Sequence, residues 1–165
     1  MSQTRTLLLL RHAKSSWDDP SLADHDRPLA PRGRRAAKRI GELLRDRRIE
    51  ISIVLCSSAR RARETLDLAQ PPGEVHIEQE LYGASARQLL ERIRRVPEEV
   101  DSLMLIGHNP AIEELALGLA ADRSELEGAK FPTGALATFT VSGPWVRLAP
   151  AEATLTGFVK PRDLD

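Results

Sequence analysis

Three short, largely apolar runs in the chain each end in polar residues and are followed by a helical pattern. They cover residues 6–10, 51–56 and 102–106, and the first leads directly into Arg11 and His12. A short apolar run of this kind is typical of a strand buried on both faces of a sheet. Because the carboxyl ends of parallel strands meet at one edge, where open α/β folds bind their ligands, we expect the chemistry of this chain at that edge.

The segments between and after these runs predict the remaining elements of the fold. Apolar residues recur at helical spacing in four segments, at 36–44, 59–69, 86–93 and 112–119. Three further strands are expected, at 75–77, 135–141 and 153–159. Strands that alternate with helices indicate an α/β fold of three layers, α/β/α, with a mostly parallel central sheet. No internal repeat or linker separates these elements, so we predict a single domain over residues 1–165.

The charge composition argues against a nucleic-acid partner. The chain has 24 Lys or Arg and 24 Asp or Glu, which gives a formal net charge of zero, and its aromatic content is 4%. A nucleic-acid-binding domain usually carries a basic surplus that attracts the phosphate backbone. The local basic cluster is interpreted as a solvated helix face; it consists of Arg32, Arg34, Arg35, Lys38 and Arg39.

The single cysteine and the shortness of the apolar runs indicate the cellular compartment of the protein. The single Cys56 cannot form a disulfide within the chain, and its apolar surroundings are typical of a small core residue. The apolar runs are all much shorter than the roughly 20 residues that a membrane-spanning helix needs. We therefore expect a soluble cytoplasmic protein without a membrane segment.

The segment that follows the second strand places three arginines at the start of a helix. Ser57 or Ser58 is predicted as the N-cap, so that Arg60, Arg61 and Arg63 fall in the first turns. The helix macrodipole disfavours cations at this end, and a bound anion would reverse the effect. On the helical wheel Arg60 is directed to solvent, whereas Arg61 and Arg63 flank the buried face. Both of these therefore stay candidates for binding phosphate.

A third junction, after the run at 102–106, carries a second histidine. Gly107 allows a tight exit from the strand, Asn109 is predicted as the N-cap of the next helix, and Pro110 suits its first position. His108 is then held just outside the start of a helix. It lies at the same sheet edge as Arg11 and His12 if the strands are parallel.

Together these pieces resemble the histidine phosphatase superfamily, the phosphoglycerate-mutase-like enzymes. The matching segments are 10–12, 57–65 and 107–109, in this order. Within the superfamily the chain is most similar to the small SixA-type phosphohistidine phosphatases, through the segments 11–15, 26–29 and 32–33. The resemblance covers nearly the whole chain and implies a phosphoglycerate-mutase-like fold. It departs from the common pattern at Ala13, where the family usually has Gly.

The resemblance implies a phosphate pocket formed by Arg11, His12, Arg61 and His108. His12 matches the nucleophile that becomes phosphorylated, and Arg61 matches the second phosphate-binding arginine. Arg11, Arg61 and a protonated His108 would surround the phosphoryl oxygens as charge develops on them. The implied reaction needs no metal and no other cofactor. The sequence likewise contains no His-Glu-x-x-His run, no cysteine pair and no phosphate-cradling glycine loop.

The general acid of this reaction is the least certain role. The resemblance implies a carboxylate between the second arginine and the second histidine, and Glu80 is the candidate there. Asp18, Asp24 and Asp26 are alternatives, although turn and cap roles suit them equally well. The same loop carries His25, which we expect at the surface. An imidazole leaving group, whose pKa is about 6.5, needs little help from an acid.

The length of the chain bears on the substrate. The segment 64–107 must supply a helix and a strand, which leaves little to build a lid over the pocket. An uncovered pocket admits a phosphorylated protein, such as a histidine-containing phosphotransfer domain, or a small phosphate ester. Lys14 and Ser57 are candidate substrate contacts.

Three functions stay open on the sequence alone. The first is a phosphatase that acts on protein phosphohistidine through a phosphohistidine on His12. The second is a broad phosphomonoesterase for small molecules, and the third is a regulatory module that binds phosphate without turnover. A phosphoglycerate mutase is less favoured because the chain lacks the length for a capping insertion.

Overall fold

The structure is a computed structural model that describes residues 4–165, and it is built around one six-stranded sheet. The strands are β1 (Thr4–Arg11), β2 (Ile53–Ser57), β3 (Glu74–Glu78), β4 (Ser102–Gly107), β5 (Leu136–Ser142) and β6 (Ala153–Val159). They lie in the order β3-β2-β4-β1-β5-β6. The first four strands in this order are parallel, whereas β5 runs antiparallel to β1, and β6 runs antiparallel to β5. The expected mostly parallel sheet is confirmed, with an antiparallel addition at one side.

Four helices cover the two faces of the sheet. They are α1 (Pro31–Asp46), α2 (Arg60–Ala69), α3 (Ala86–Arg94) and α4 (Ala111–Leu119). Leu8 and Leu10 of β1 pack in one core cluster with α1 and α2, and Leu7 and Leu9 pack in the other with α3 and α4. The three-layer α/β/α architecture is therefore confirmed. Within residues 4–165 no helix is both long and apolar enough to cross a membrane.

The leucine run explains why β1 occupies the middle of the molecule. All four leucines are completely buried because successive side chains of a strand point to opposite faces and both faces are covered. Burial of each leucine side chain contributes about 1.5–3 kcal/mol. The run therefore anchors the strand whose end carries Arg11 and His12.

Two predicted helix caps lie one or two residues from their observed positions. The N-cap of α2 is Ala59, not Ser57 or Ser58, because Ser57 is still part of β2. Its hydroxyl instead accepts a hydrogen bond from the Ala59 N–H at 3.3 Å. The N-cap of α4 is Pro110 rather than Asn109.

A close contact between α1 and the segment after β1 fixes the position of that segment. The N–H of Ala30 donates to the carbonyl of Lys14 at 2.9 Å. A Cβ atom on Gly33 would lie 2.1 Å from the same carbonyl oxygen, so only glycine allows this approach. Residues 13 and 14 are thereby held against the start of α1.

Candidate active site

Three neighbouring strands deliver the polar residues singled out in the sequence to one edge of the sheet. β4, which ends before His108, lies between β1 and β2, which end in Arg11 and Ser57. The ring centroids of His12 and His108 are 5.0 Å apart. Nε2 of His108 lies 2.7 Å from the hydroxyl oxygen of Ser57. The fold therefore brings together residues that lie in three distant parts of the sequence.

The imidazole of His12 is held in one orientation by the backbone. Its side chain is buried, with 6% of the residue exposed, and Nδ1 lies 2.7 Å from the carbonyl oxygen of Ala13. A carbonyl oxygen can only accept, so Nδ1 carries the proton, and Nε2 of the neutral ring has a free electron pair. Burial lowers the pKa of His12 to about 3. The ring is therefore neutral near pH 7, as a nitrogen nucleophile must be.

Ala13 is itself held by a residue of α2. Its N–H donates to the hydroxyl oxygen of Thr65 at 3.0 Å, and that hydroxyl donates to the carbonyl of Arg61 at 2.7 Å. Both Ala13 and Thr65 are buried. The small Ala13, which replaces the glycine common in the family, fits this packing.

Arg61 is the buried member of the three arginines at the start of α2. It is 7% exposed, and Nη1 and Nη2 donate to the backbone carbonyl and to Oδ2 of Asp24 at 2.8 and 3.0 Å. Arg60 is exposed and donates to Glu64, as the helical wheel predicts for a residue directed to solvent. Arg63 is also exposed and donates to the carbonyl of Ser58. The sequence leaves Arg61 and Arg63 as candidates for binding phosphate. Of these two, Arg61 is the one that is buried beside Asp24, and it forms a cluster with Arg11, His12 and His108.

Asp24 connects three side chains beside the histidines. Its carboxylate accepts hydrogen bonds from the Tyr82 hydroxyl at 2.6 Å, from Arg27 at 2.8 Å and from Arg61. The Tyr82 hydroxyl and the two guanidinium groups hold the pKa of Asp24 well below its usual range. Asp24 therefore stays ionised near pH 7 and cannot donate a proton. Its contacts make it a positioning residue for Arg61.

His108 is uncharged before an anion binds, and the expected protonated form belongs to the phosphate complex. Burial, reinforced by the charge of Arg61, lowers its pKa to about 4, so that it is neutral in the unliganded protein near pH 7. An anion bound nearby would favour the protonated form and so raise this pKa. The ring of Tyr82 lies edge-on to His108, with centroids 5.7 Å apart, and that of His25 lies 4.8 Å from Tyr82.

The remaining cation of the cluster, Arg11, is held by a loop that precedes β5. Its Nη1 donates to the carbonyl of Phe131 at 3.0 Å. The N–H of Gly134 lies within hydrogen-bonding distance of the carbonyls of both Arg11 and His12, at 3.1 and 2.9 Å. Partial burial lowers the pKa of Arg11, but a guanidinium remains protonated in proteins. Lys14 is exposed, and within residues 4–165 its side chain forms no ion pair at 4 Å or less.

The carboxylate of Glu80 is paired with arginines and is not hydrogen-bonded to either histidine, which does not favour the expected role as proton donor. Its carboxylate forms ion pairs with Arg95 at 2.8 Å and with Arg92 at 3.5 Å. These arginines belong to α3 and the residue after it, so they draw the carboxylate toward that helix. In the part of the chain that the structure describes, no carboxylate is hydrogen-bonded to His12 or His108.

The residues that sequence reasoning missed are those that support the pocket. Asp24 was considered only as an acid or a turn residue, and Tyr82 and Arg27 were given no role. The signal available for them was local: Asp24 precedes Arg27 in the loop, and Tyr82 precedes a glycine of positive φ, Gly83. The link from Asp24 to Arg61 spans 37 positions and depends on the folded chain.

The arrangement is suited to binding and transferring a phosphoryl group. Two guanidinium groups, those of Arg11 and Arg61, lie beside a neutral histidine with a free nitrogen electron pair, and His108 can gain a proton when an anion binds. Cations that surround the oxygens of phosphorus stabilise the charge that develops in phosphoryl transfer. Phosphoryl transfer also requires a nucleophile, and Nε2 of His12 can act as one.

Comparisons with known proteins also indicate an enzyme that handles phosphoryl groups. The family model of the histidine phosphatase superfamily, branch 1, matches residues 7–86. An uncharacterized protein of Mycobacterium tuberculosis is 42% identical over 159 residues, which cover 93% of this chain and 100% of that protein.

Two solved structures share the fold over nearly their whole length. A protein provisionally named phosphohistidine phosphatase SixA, from Nakamurella multipartitia, is 33% identical, with a TM-score of 0.87, and the match covers 96% of each chain. A protein of the same provisional name from Agrobacterium tumefaciens is 31% identical, with a TM-score of 0.82. That match covers 95% of this chain and 98% of the other.

Proposed function

Because the chain belongs to the histidine phosphatase superfamily and is a phosphatase enzyme, we propose that it hydrolyses phosphohistidine on another protein, through a phosphohistidine formed on its own His12. The proposal is supported most by the hydrogen bond from Nδ1 of His12 to the carbonyl of Ala13. That bond leaves Nε2 as the only ring nitrogen able to attack. Arg11, Arg61 and His108 then bind the oxygens of the phosphoryl group.

In the first step the electron pair on Nε2 of His12 attacks phosphorus. The bond from Nε2 to phosphorus forms as the bond from phosphorus to the substrate nitrogen breaks, and the bonding pair returns to the substrate imidazole. When the other nitrogen of that imidazole carries a proton, the leaving group departs as a neutral ring. The phosphorylated His12 ring is cationic, and the Ala13 carbonyl stabilises the proton that remains on Nδ1.

In the second step water attacks the phosphorus bound to His12. The bond to Nε2 breaks, its electron pair returns to the ring, and orthophosphate leaves while the proton of the water passes to solvent. Arg11 and Arg61 neutralise the charge on the three equatorial oxygens during both steps. His12 returns to the neutral state with its proton on Nδ1.

Within residues 4–165 no carboxyl group is hydrogen-bonded to either histidine, and this supports a substrate with a good leaving group. Asp24 is held ionised, and Glu80 is paired with Arg92 and Arg95. An alkoxide would need a proton as it leaves, whereas an imidazole whose other ring nitrogen is protonated leaves as a neutral ring, to which the pKa of about 6.5 applies. Phosphohistidine therefore suits this site better than an alkyl phosphate ester.

The layout of the chain also favours a protein substrate. The segment between α2 and β4 forms β3, a short 3-10 helix and α3. β3 extends the sheet and α3 packs on its face, so this segment is used in the layers of the fold. Within residues 64–107 no long loop is left over to cover the sheet edge that carries His12, which supports a large partner. The names of the Nakamurella and Agrobacterium proteins are consistent with this class of substrate.

The proposal is tested by turnover of matched substrates. We expect a phosphohistidine-containing phosphotransfer domain to be hydrolysed with a higher kcat/KM than p-nitrophenyl phosphate or a phosphoserine peptide. His12→Ala should abolish turnover of all three, because it removes the nucleophile. His76→Ala, a histidine at the outer strand β3, is the matched control and should keep full activity.

Two results would replace this proposal by the other functions considered above. A higher kcat/KM for small esters than for the phosphoprotein would indicate a broad phosphomonoesterase. Binding of phosphate without turnover of any substrate would indicate a regulatory module. Activity retained in His12→Ala would overturn the assigned nucleophile.

A further inference from the structure

A basic groove lies beside the catalytic cluster and is not used by the mechanism above. It encloses about 540 Å³ and is lined by five cationic side chains, those of Lys14, Arg32, Lys130, Lys160 and Arg162. No acidic side chain lines it. We call it the basic groove. Since the net charge of the whole chain is zero, five cations in one concave surface are a local surplus.

None of these five cations is neutralised by an acid of the described chain. Within residues 4–165 none of them takes part in an ion pair at 4 Å or less. Two acids, Asp163 and Asp165, follow the groove residues in sequence, but neither lines the groove. Asp163 accepts from the backbone N–H of Lys160 at 2.9 Å, and Asp165 pairs with Arg39. The positive potential of the groove is therefore available to an external anion.

Several residues that line the groove lie next in sequence to residues that form or hold the phosphate-binding cluster. Lys14 is two residues beyond His12, and its backbone carbonyl is held by α1. Pro132 and Thr133 also line the groove, and they lie between Phe131, whose carbonyl accepts from Arg11, and Gly134, whose N–H donates to His12. A chain bound in the groove would thus contact the segments that hold Arg11 and His12 in place.

We propose that the basic groove binds an acidic segment of the phosphorylated protein, adjacent in that protein to the phosphohistidine. This inference rests on the proposed function and names the class of protein that it would select. The cations come from separate parts of the chain: the segment after β1, α1, the loop before β5 and the end of β6. Such a spread matches an extended row of carboxylates.

The exposure of the cations favours a protein segment over a compact small molecule. Lys14, Arg32, Lys130 and Arg162 are exposed, and Lys160 is half-buried. A small-molecule site usually buries most of its ligand among a few fixed polar groups. Exposed charges at the rim of an interface instead steer a macromolecular partner and select it by charge.

The test compares three peptides that each carry one phosphohistidine. One has four glutamates before it, one has four glutamates after it, and one has glutamines at all these positions. We expect one of the acidic peptides to have a kcat/KM about tenfold above that of the glutamine peptide at low salt. This advantage should fall to about twofold or less at 0.5 M NaCl, because exposed charges are screened.

Charge-reversal variants locate the effect. The double variant Lys130→Glu with Arg162→Glu should reduce the advantage of the acidic peptide to about twofold or less, and Lys130→Gln alone should reduce it about threefold. Lys38→Glu makes the same charge change on an exposed residue of α1 outside the groove, and it should leave the advantage unchanged. Thermal unfolding of each variant establishes that it is folded.

The possible outcomes distinguish failure of the proposed function from failure of the groove assignment. Failure to hydrolyse any of the three peptides would overturn the proposed function. Equal kcat/KM values for acidic and glutamine peptides would overturn the groove assignment alone. The groove assignment would also be overturned if Lys38→Glu had as large an effect as the groove variant, which is the double variant Lys130→Glu with Arg162→Glu. A preference for fructose 1,6-bisphosphate over fructose 6-phosphate that the groove variant removes would assign the groove to a small polyanion instead.

Discussion

The carboxylate and the backbone carbonyl of Asp24 hold the guanidinium group of Arg61 between them. Nη2 of Arg61 is 3.0 Å from Oδ2 of Asp24, and Nη1 is 2.8 Å from the carbonyl oxygen. These contacts fix the plane of a buried cation that lies beside His108. Asp24 is in turn fixed by Tyr82 and Arg27, so that the loop between β1 and α1 determines the geometry of the phosphate pocket.

Asp24→Asn should weaken this positioning without removing a reacting group. An amide lacks the charge that holds Arg61, Arg27 and Tyr82 together, and loss of a charged hydrogen bond costs about 1.5–3 kcal/mol. We expect kcat/KM to fall by about tenfold or more. Steady-state kinetics with the phosphotransfer domain measures this, with Asp18→Asn, an exposed acid of the same loop, as control. Equal activity of Asp24→Asn and the wild type would show that Arg61 needs no such support.

Protein stability should fall in mild acid because of the two buried histidines. Their folded-state pKa values, about 3 for His12 and about 4 for His108, lie below the unfolded value of 6.5. The unfolded chain therefore binds protons that the folded chain does not as the pH falls from 6.5 toward 4. The free energy of unfolding is fully retained above pH 6.5. It should drop by on the order of 2 kcal/mol for each side chain by pH 5.

Urea unfolding at pH 7 and pH 5 measures this loss. The double variant His12→Gln with His108→Gln lacks both groups and should lose less stability over the same interval. The comparison isolates the two imidazoles because all carboxylates are the same in both proteins. An identical pH dependence of the variant and the wild type would contradict the lowered pKa values.

Gly33→Ala should displace the segment that follows the nucleophile. The added Cβ would lie 2.1 Å from the carbonyl oxygen of Lys14, so either α1 or residues 13–14 must move. Such overpacking costs about 1–3 kcal/mol. We expect a lower Tm and a lower kcat, since the Ala13 carbonyl that orients His12 lies in the displaced segment. Gly118→Ala is the control: its Cβ would meet nothing within 4 Å, and alanine favours the helix. A Tm for Gly33→Ala equal to that of the wild type would contradict the close contact between Gly33 and the carbonyl of Lys14.

Glu80→Gln should change the rate little. Its carboxylate is paired with Arg92 and Arg95 rather than with the histidines, so kcat should stay within about twofold of the wild type, as for an ordinary surface substitution. Aryl phosphates with leaving groups of different pKa extend the test. Their kcat values should fall steeply as that pKa rises, equally in both proteins. A flatter dependence in the wild type than in Glu80→Gln would restore Glu80 as the general acid.

The strands could be predicted from the sequence because burial on both faces leaves a strong local pattern. Residues 7–10 are apolar at every position, and β4 is buried along its whole length. The polar residues at the ends of β1 and β4 could then be placed at one sheet edge by topology alone. The helical wheel separated Arg60 from Arg61 for the same reason, since apolar neighbours define the inner face.

The supporting residues could not be predicted because their partners are not local in sequence. Asp24 bonds to Arg61 and Tyr82, which come from α2 and from the turn after β3. The partners of Glu80 could not be predicted either, because position in the sequence does not show that Arg92 and Arg95 pair with its carboxylate. The protonation of His108 also depends on burial, which lowers its pKa below what its position after a strand suggests.

The most direct test of the account is to trap the phosphoenzyme. The protein is mixed with a ³²P-labelled phosphotransfer domain, quenched in alkali during turnover and digested, and the labelled peptide is sequenced by mass spectrometry. We predict one acid-labile, alkali-stable phosphate on His12, with none on His12→Ala and with label retained on His76→Ala. A phosphate on any other residue, or turnover without a labelled enzyme, would contradict nucleophilic attack by His12.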